Sequence, residues 1–294
     1  MITNYFTISI CALSLAFVSC NGNSGQDNTT SELSDSLNIT DTISNPPEVE
    51  EEVSYRLPSA LQIAYVFKKS GSAFVSALPN DVAHANKYNT SNYKRATNFG
   101  VYSADLAYCI FSKKYQESKQ YLKACKDLGA YLGIKQAFEN DNIAQRFEQN
   151  ISNEDSVVKI VSSVQLKTDL LFEQNKQKHI TVIAFAGAWV ESAYIASEVY
   201  TKDKNKKTLS SLMEQLLLSE TIIKALKHYE NTEAEMPVLL MAVQKINSEF
   251  NAIPAVKAAA GKDEEMDFTT MTISDTELKD VFTSVKTLRK SIID

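Results

Sequence analysis

Two acids stand where helical spacing calls for apolar side chains. Asp105 has Val101 and Tyr102 one turn before it and Tyr108 and Cys109 one turn after it. Glu191 is set in the same way among Gly187, Ala188, Tyr194 and Ile195. Burying an unpaired carboxylate is costly, so each acid must either meet a partner or hold a proton at a raised pKa. Two chemistries follow. Both acids could line one pocket, as a general acid/base pair or a cation site, with Tyr102, Tyr108, Trp189 and Tyr194 as its walls. Alternatively, each could be an anchor inside a helical core, satisfied by tyrosine hydroxyls, by backbone, or by one of Arg95, Arg146 and Lys167. Structural ion pairs perturb core acids as readily as active sites do, so the anchor is the commoner case.

Other reactive residue types offer less. His84, His179 and His228 are the only histidines; none sits three or four residues from another, nor beside a carboxylate in a metal-ligand pattern such as H-E-x-x-H. No metal and no cofactor are therefore expected. His179 reads as a helix-start residue, and His228 sits near a helix C-terminus, where partial positive charge is favourable. There is no Gly-rich phosphate loop, no nucleophile elbow and no Ser-x-x-Lys with its companion motifs. Of four cysteines, Cys11 falls in an apolar leader and Cys20 just after it. Cys109 and Cys125 lie on two helices that should form a hairpin centred near Lys114. Their axial offset of about six residues, roughly 9 Å at ~1.5 Å per residue, exceeds disulfide reach, which predicts two buried free thiols.

The elements that must position these residues are helices. Glycines and prolines are few, eight and six in 294 residues, and no run of five or more residues shows convincing period-two alternation. Helices are expected from about Ser59 to Lys69, 92–111, 116–132, 135–149, from a cap at Ser152 to about Asn175, 178–201, from Thr208 to Tyr229, 236–250, and from Ser274 to about Ser291. The 154–175 helix would present Val157, Ile160, Val161, Val164, Leu170 and Leu171 as its apolar face. Residues 72–91 are irregular, and 254–273 read as a long mobile loop. The central helix, Ile180 to Val199, carries only two charges in twenty residues and a small-residue patch of Ala184, Ala186, Gly187 and Ala188 that invites close helix approach. The fold class is all-α, an array or bundle of antiparallel helical hairpins.

The N-terminal part reads as an address. Residues 5–18 form an apolar run of signal-peptide length, too short for a comfortable transmembrane helix. It ends in Phe17-Val18-Ser19-Cys20, which resembles a bacterial lipobox, with Cys20 as the lipidated residue. Between Cys20 and Tyr55 there are eight acids and no Lys or Arg, while all thirty basic residues lie from Arg56 onward. Such a segment cannot bury enough apolar surface to order itself and should act as a tether of roughly 30–35 Å. The division expected is 1–19 signal peptide, 20–54 lipidated N-terminus and acidic tether, 55–294 a helical domain. Asp35-Ser36-Leu37 and Asp41-Thr42-Ile43 resemble O-glycan acceptor triplets of Bacteroidota, marking Ser36 and Thr42. Asp155-Ser156-Val157 fits that pattern too, but is better explained as a helix start. The helical part is close to neutral with its lysines scattered among acids, which excludes a nucleic-acid footprint.

Two runs echo each other. Gly100-Val101-Tyr102-Ser103-Ala104-Asp105-Leu106-Ala107-Tyr108 and Gly187-Ala188-Trp189-Val190-Glu191-Ser192-Ala193-Tyr194 share a glycine, an aromatic two later, an acid, then Ala-Tyr. Each would open a helical hairpin, and 92–132 resembles a tetratricopeptide-type unit in part. The combination GVYSADLAYC, QRFEQN with NEDS, and FAGAWVES resembles a group of uncharacterised α-helical lipoproteins of Bacteroidota over roughly residues 57–230. That resemblance implies an anchored helical domain and brings no activity with it. Asn21 after the cysteine favours the outer membrane, and the acid-poor residues that follow favour its periplasmic side. The expected role is a binding or scaffolding module for an envelope protein or a small ligand, attached to the membrane through Cys20. The alternative is an envelope hydrolase or lyase using Asp105 and Glu191.

Overall fold

The computed structural model describes residues 59–139, 142–260 and 266–294. The signal run, Cys20, the tether with Ser36 and Thr42, and the acid cluster at 263–265 lie outside the described residues. Those described fall in the unit Val53–Asp294.

Among the described residues there are twelve α-helices and no strand. Helix α1 spans Ala60–Ser70, followed by a 3₁₀ stretch at Val82–Tyr88; α2 is Asn92–Phe111 and α3 Tyr115–Tyr131. Then come α4 (Lys135–Glu139), α5 (Ile143–Gln149), α6 (Glu154–Gln174), α7 (Lys178–Asp203), α8 (Lys206–Leu217) and α9 (Ser219–His228). The chain closes with α10 (Met236–Ala252), α11 (Pro254–Ala259) and α12 (Asp275–Ile293). Local signals explain several starts. Ser59 with Gln62 and Ser274 with Glu277 form reciprocal capping boxes, which satisfy backbone donors at the starts of α1 and α12. His179 and His228 sit in the first and last turns of α7 and α9, respectively.

Helix α7 is apolar on every side, and such a helix must be covered on every side. It is long and apolar enough to cross a membrane, yet 94% of its apolar window is buried against the rest of this unit. It is a core helix. Helices α1, α2, α6, α8, α9 and α12 all pack on it. The fold is therefore a bundle around α7, since α2 pairs most extensively with a helix far along the chain, whereas a linear repeat array joins only neighbours.

The two echoing runs meet each other. A Cβ on Gly100 would stand 1.8 Å from the Ala184 carbonyl oxygen, and one on Gly187 would stand 2.1 Å from that of Thr97. Each glycine thus faces the residue three before the other, a near-twofold relation between the two helices. One turn further along both, Asp105 meets Glu191, so α2 and α7 run parallel. Each helix has its own return partner, α3 for α2 and α8 for α7. The equivalent aromatics pack outward onto those partners: Tyr102 lies against Tyr121 of α3, and the Trp189 indole N–H donates to the Gln215 carbonyl of α8 at 2.8 Å.

Several expectations are corrected. The cap of α6 is Asn153, not Ser152, because the Asn153 side chain accepts from the Ser156 N–H. The buried stripe of α6 is Val157, Ile160, Val164, Thr168 and Phe172. Leu170 instead is 47% exposed, so the apolar face is rotated from the one expected. The stretch 135–149 is two short helices, and the segment from Thr208 to Tyr229 is broken at Leu218. There the Ser219 hydroxyl lies 2.8 Å from Asn247 of α10, a tertiary contact invisible to local spacing. Within 254–273, Pro254–Ala259 is helical, with Val256, Phe268 and Ile273 buried, so most of that segment is anchored. Cys109 and Cys125 are free and buried.

A methyl group at either glycine has only backbone to push against. Gly100→Ala and Gly187→Ala should each cost roughly 3 kcal/mol or more, the upper range for overpacking, in urea unfolding. Gly129→Ala, whose added Cβ meets only side chains of Phe138 and Ile134, should cost distinctly less. Equal costs at all three positions would mean that α2 and α7 do not touch through their backbones.

Candidate functional site

Asp105 and Glu191 are both fully buried, and they lie close enough that each shifts the titration of the other. Their partner comes from α12. The Arg289 Nε donates to Glu191 Oε2 at 2.9 Å and its Nη2 to Oε1 at 3.0 Å, a two-pronged ion pair occupying both carboxylate oxygens. Nη2 also donates to the Leu78 carbonyl at 3.2 Å, and the guanidinium lies 4.5 Å from the centre of the Tyr194 ring. Asp105 Oδ2 accepts from the Asn80 N–H at 3.1 Å. Its other oxygen has no basic or N–H partner, which leaves it facing Glu191.

Burial pushes the Asp105 carboxyl well above the usual range, and the adjacent Glu191 charge adds to that. Burial also raises Glu191, with the Arg289 guanidinium pulling back against it. Of the two, Asp105 is pushed furthest toward its protonated form, and Glu191, gripped by Arg289, is the one favoured to carry the charge. The anchor reading is the one these contacts describe. Its cation is Arg289, not Arg95, Arg146 or Lys167. Arg95 is committed to the Asn89 carbonyl and the Asn92 side chain.

The irregular stretch 72–91 fastens the same region from outside. Val75 N–H donates to the Tyr108 hydroxyl at 2.9 Å, and the Tyr102 hydroxyl donates to the Asp81 carbonyl at 2.8 Å. Asn80 Nδ2 donates to the Tyr88 hydroxyl, which in turn donates to the Ile293 carbonyl of α12. The four aromatics expected as pocket walls are thus spread over separate tasks: Tyr102 and Tyr108 hold this strap, Trp189 holds α8, and Tyr194 covers Arg289. None of the six residues lines the apolar cavity on the other side of α2 and α7.

That cavity, of about 100 Å³, lies between α2, α3, α6 and α7. Its walls are largely apolar, among them Phe99, Leu106, Val164, Phe172, Ala184 and Phe185. Three polar side chains of α6 reach it: Gln165, Thr168 and Asp169. Thr168 is only 4% exposed, and its hydroxyl has no hydrogen-bond partner. Asp169 is half-buried, and burial pushes its carboxyl up to about 6. Sequence reasoning missed Arg289 and Thr168, although both interrupt apolar stripes. Arg289 follows Val281 and Val285 at four-residue spacing, and Thr168 stands between Val164 and Phe172 in the same way. Among the described residues no cluster of three or more metal-binding side chains occurs. Comparison with protein-family models, curated proteins and solved structures yields no match.

Two substitutions test the proton count. A carboxyl whose folded pKa is raised contributes stability that is fully present below its unfolded pKa, near 4, and is lost as pH rises through the folded value. Asparagine keeps the hydrogen bonds of the protonated acid without that loss. Asp105→Asn should therefore gain on wild type by about 1–3 kcal/mol between pH 4 and pH 7 in urea unfolding. A pH-independent difference would mean that Asp105 is ionised in the fold. Arg289→Met should cost about 3–5 kcal/mol at pH 7, because it strands a buried charge, and less at pH 5.

Proposed function

We propose that this chain is a lipid-anchored binding module of the cell envelope whose helical unit holds a small, mainly apolar ligand. The observation that carries the ligand half is the cavity between α2, α3, α6 and α7, with the unpartnered Thr168 hydroxyl in its wall. A buried hydroxyl left without a partner costs about 1–3 kcal/mol, and a ligand that bonds it recovers that loss. Apolar walls with a few converging polar groups are the usual make-up of small-molecule sites. Support for the anchor is the lipobox-like Phe17-Val18-Ser19-Cys20 and the acidic segment after it. Asn21 and the acid-poor residues after it support the periplasmic face of the outer membrane. The Asp105–Glu191 pair makes a poor catalytic site by comparison, since both Glu191 oxygens are held by Arg289 and neither acid lines the cavity.

Native mass spectrometry of the protein released gently from the envelope of producing cells tests the first half. The expected result is a reproducible small-molecule mass on the folded protein, lost in Val161→Phe, which fills the cavity from a half-buried wall position. A bare protein, or a mass that survives Val161→Phe, overturns the cavity as a ligand site. For the second half, an alkyne analogue of palmitate should label the wild type and not Cys20→Ser. Labelling of neither would remove the anchor from the proposal.

A further inference from the structure

We infer that the ligand is an amphipathic cation, with its ammonium head on Asp169 and Thr168 and its apolar body in the cavity. This inference deepens the proposed function and rests on that reading of the cavity. Three observations of geometry carry it. The first is position. Asp169, Gln165 and Leu61 line both the inner cavity and a shallower groove between α1 and α6 that opens to solvent. Asp169 therefore marks the throat between the two, where a ligand would place its polar end while its chain points inward.

The second observation is the polarity of the throat. Among the described residues, no Lys or Arg lines either space. Among the described residues, Asp169 finds no hydrogen-bond and no ion-pair partner, whereas Glu191, Glu154 and Glu198 all have cationic partners. A half-buried carboxylate without a counter-charge is costly, and an ammonium is the group that offsets it most directly. The third is the donor–acceptor sense. An ionised carboxylate only accepts, and the Thr168 hydroxyl and Gln165 carbonyl offer further acceptor positions. An ammonium brings three donors and no acceptor, so it matches this set. A carboxylate ligand would face Asp169 with like charge, and an alcohol would leave its charge uncompensated.

Size limits the body. An apolar cavity of ~150 Å³ is known to accept a benzene ring. A space of about 100 Å³ accordingly suits a short unbranched or small cyclic hydrocarbon part, with anything longer running out along the α1–α6 groove past Tyr65 and Leu166.

The experiment uses the full chain carrying Cys20→Ser, so that no detergent competes for the cavity. n-Hexylamine, hexan-1-ol and hexanoate are titrated separately at pH 7.5, and the methyl signals of Val161, Val164, Ala184 and Ala188 are followed by NMR. These methyls report occupancy of the cavity whatever the head group. The expected result is that all four respond, with hexylamine at least tenfold tighter than hexan-1-ol and hexanoate weakest. Asp169→Asn should abolish the amine's advantage while leaving the affinity for hexan-1-ol within about twofold. Lowering the pH to 5 should also shrink the amine's advantage, as Asp169 takes up a proton and the amine stays charged. Among the described residues, the only other titratable side chains lining the two spaces are Tyr65 of α1 and Cys125 of α3, the latter pushed up to about 12 by burial.

Equal affinities for amine and alcohol, with the cavity methyls shifting, would overturn the head-group assignment and leave the cavity reading intact. An amine preference that persists in Asp169→Asn would overturn it in the same way. If no compound moves those methyls, the proposed function itself falls, and this inference with it.

Discussion

The structure depends on two helices touching through their backbones. At Gly100 and Gly187 there is no room for a Cβ, and so α2 and α7 approach more closely than ordinary side-chain packing permits. That contact sets everything one turn further along. Because the helices run parallel and each carries an acid at the corresponding place, Asp105 and Glu191 are brought face to face inside the bundle. Two buried carboxyls cannot both be charged at such range without large cost. The fold answers by sending an arginine from the last helix to one of them, which leaves the other pushed toward its protonated form.

This arrangement links distant parts of the chain through few atoms. Arg289 closes α12 onto α7 and, through the Leu78 carbonyl, onto the irregular strap that precedes α2. The same strap reaches Asp105 from Asn80 and α12 again through Tyr88. A buried ion pair of this kind adds little net stability relative to a well-packed apolar substitute, but it penalises any packing that separates its members. It holds α12, α7 and the strap in one arrangement, away from the cavity.

The cavity arises from the other side of the same contact. Gly100, Ala184 and Ala188 form part of its wall, and small residues that allow close helix approach also leave space beside the line of contact. Helix α6 closes that space with a stripe that is apolar except at Thr168. Core positions are ordinarily filled to high density, and a partnerless hydroxyl at one of them marks a place where packing alone is incomplete.

The all-α class, most helix positions and the close-packing patch on α7 were legible in the sequence, because they rest on spacing and on caps, which act over a few residues. Composition also made α7 a buried helix, since a helix apolar all round has no face to give to water. The near-repeat of the two glycine runs was visible as well, though not its meaning, that the two copies pack against each other. Only the tertiary structure decided the partner of Glu191, because Arg289 lies 98 residues away and nothing local connects them. It alone turned the apolar face of α6 past Leu170 to Thr168, and broke the helix at Leu218, where Ser219 meets Asn247 of α10. Helical periodicity fixes which residues share a face, whereas what that face meets depends on how distant helices cross. Here the crossing was decided by two missing side chains.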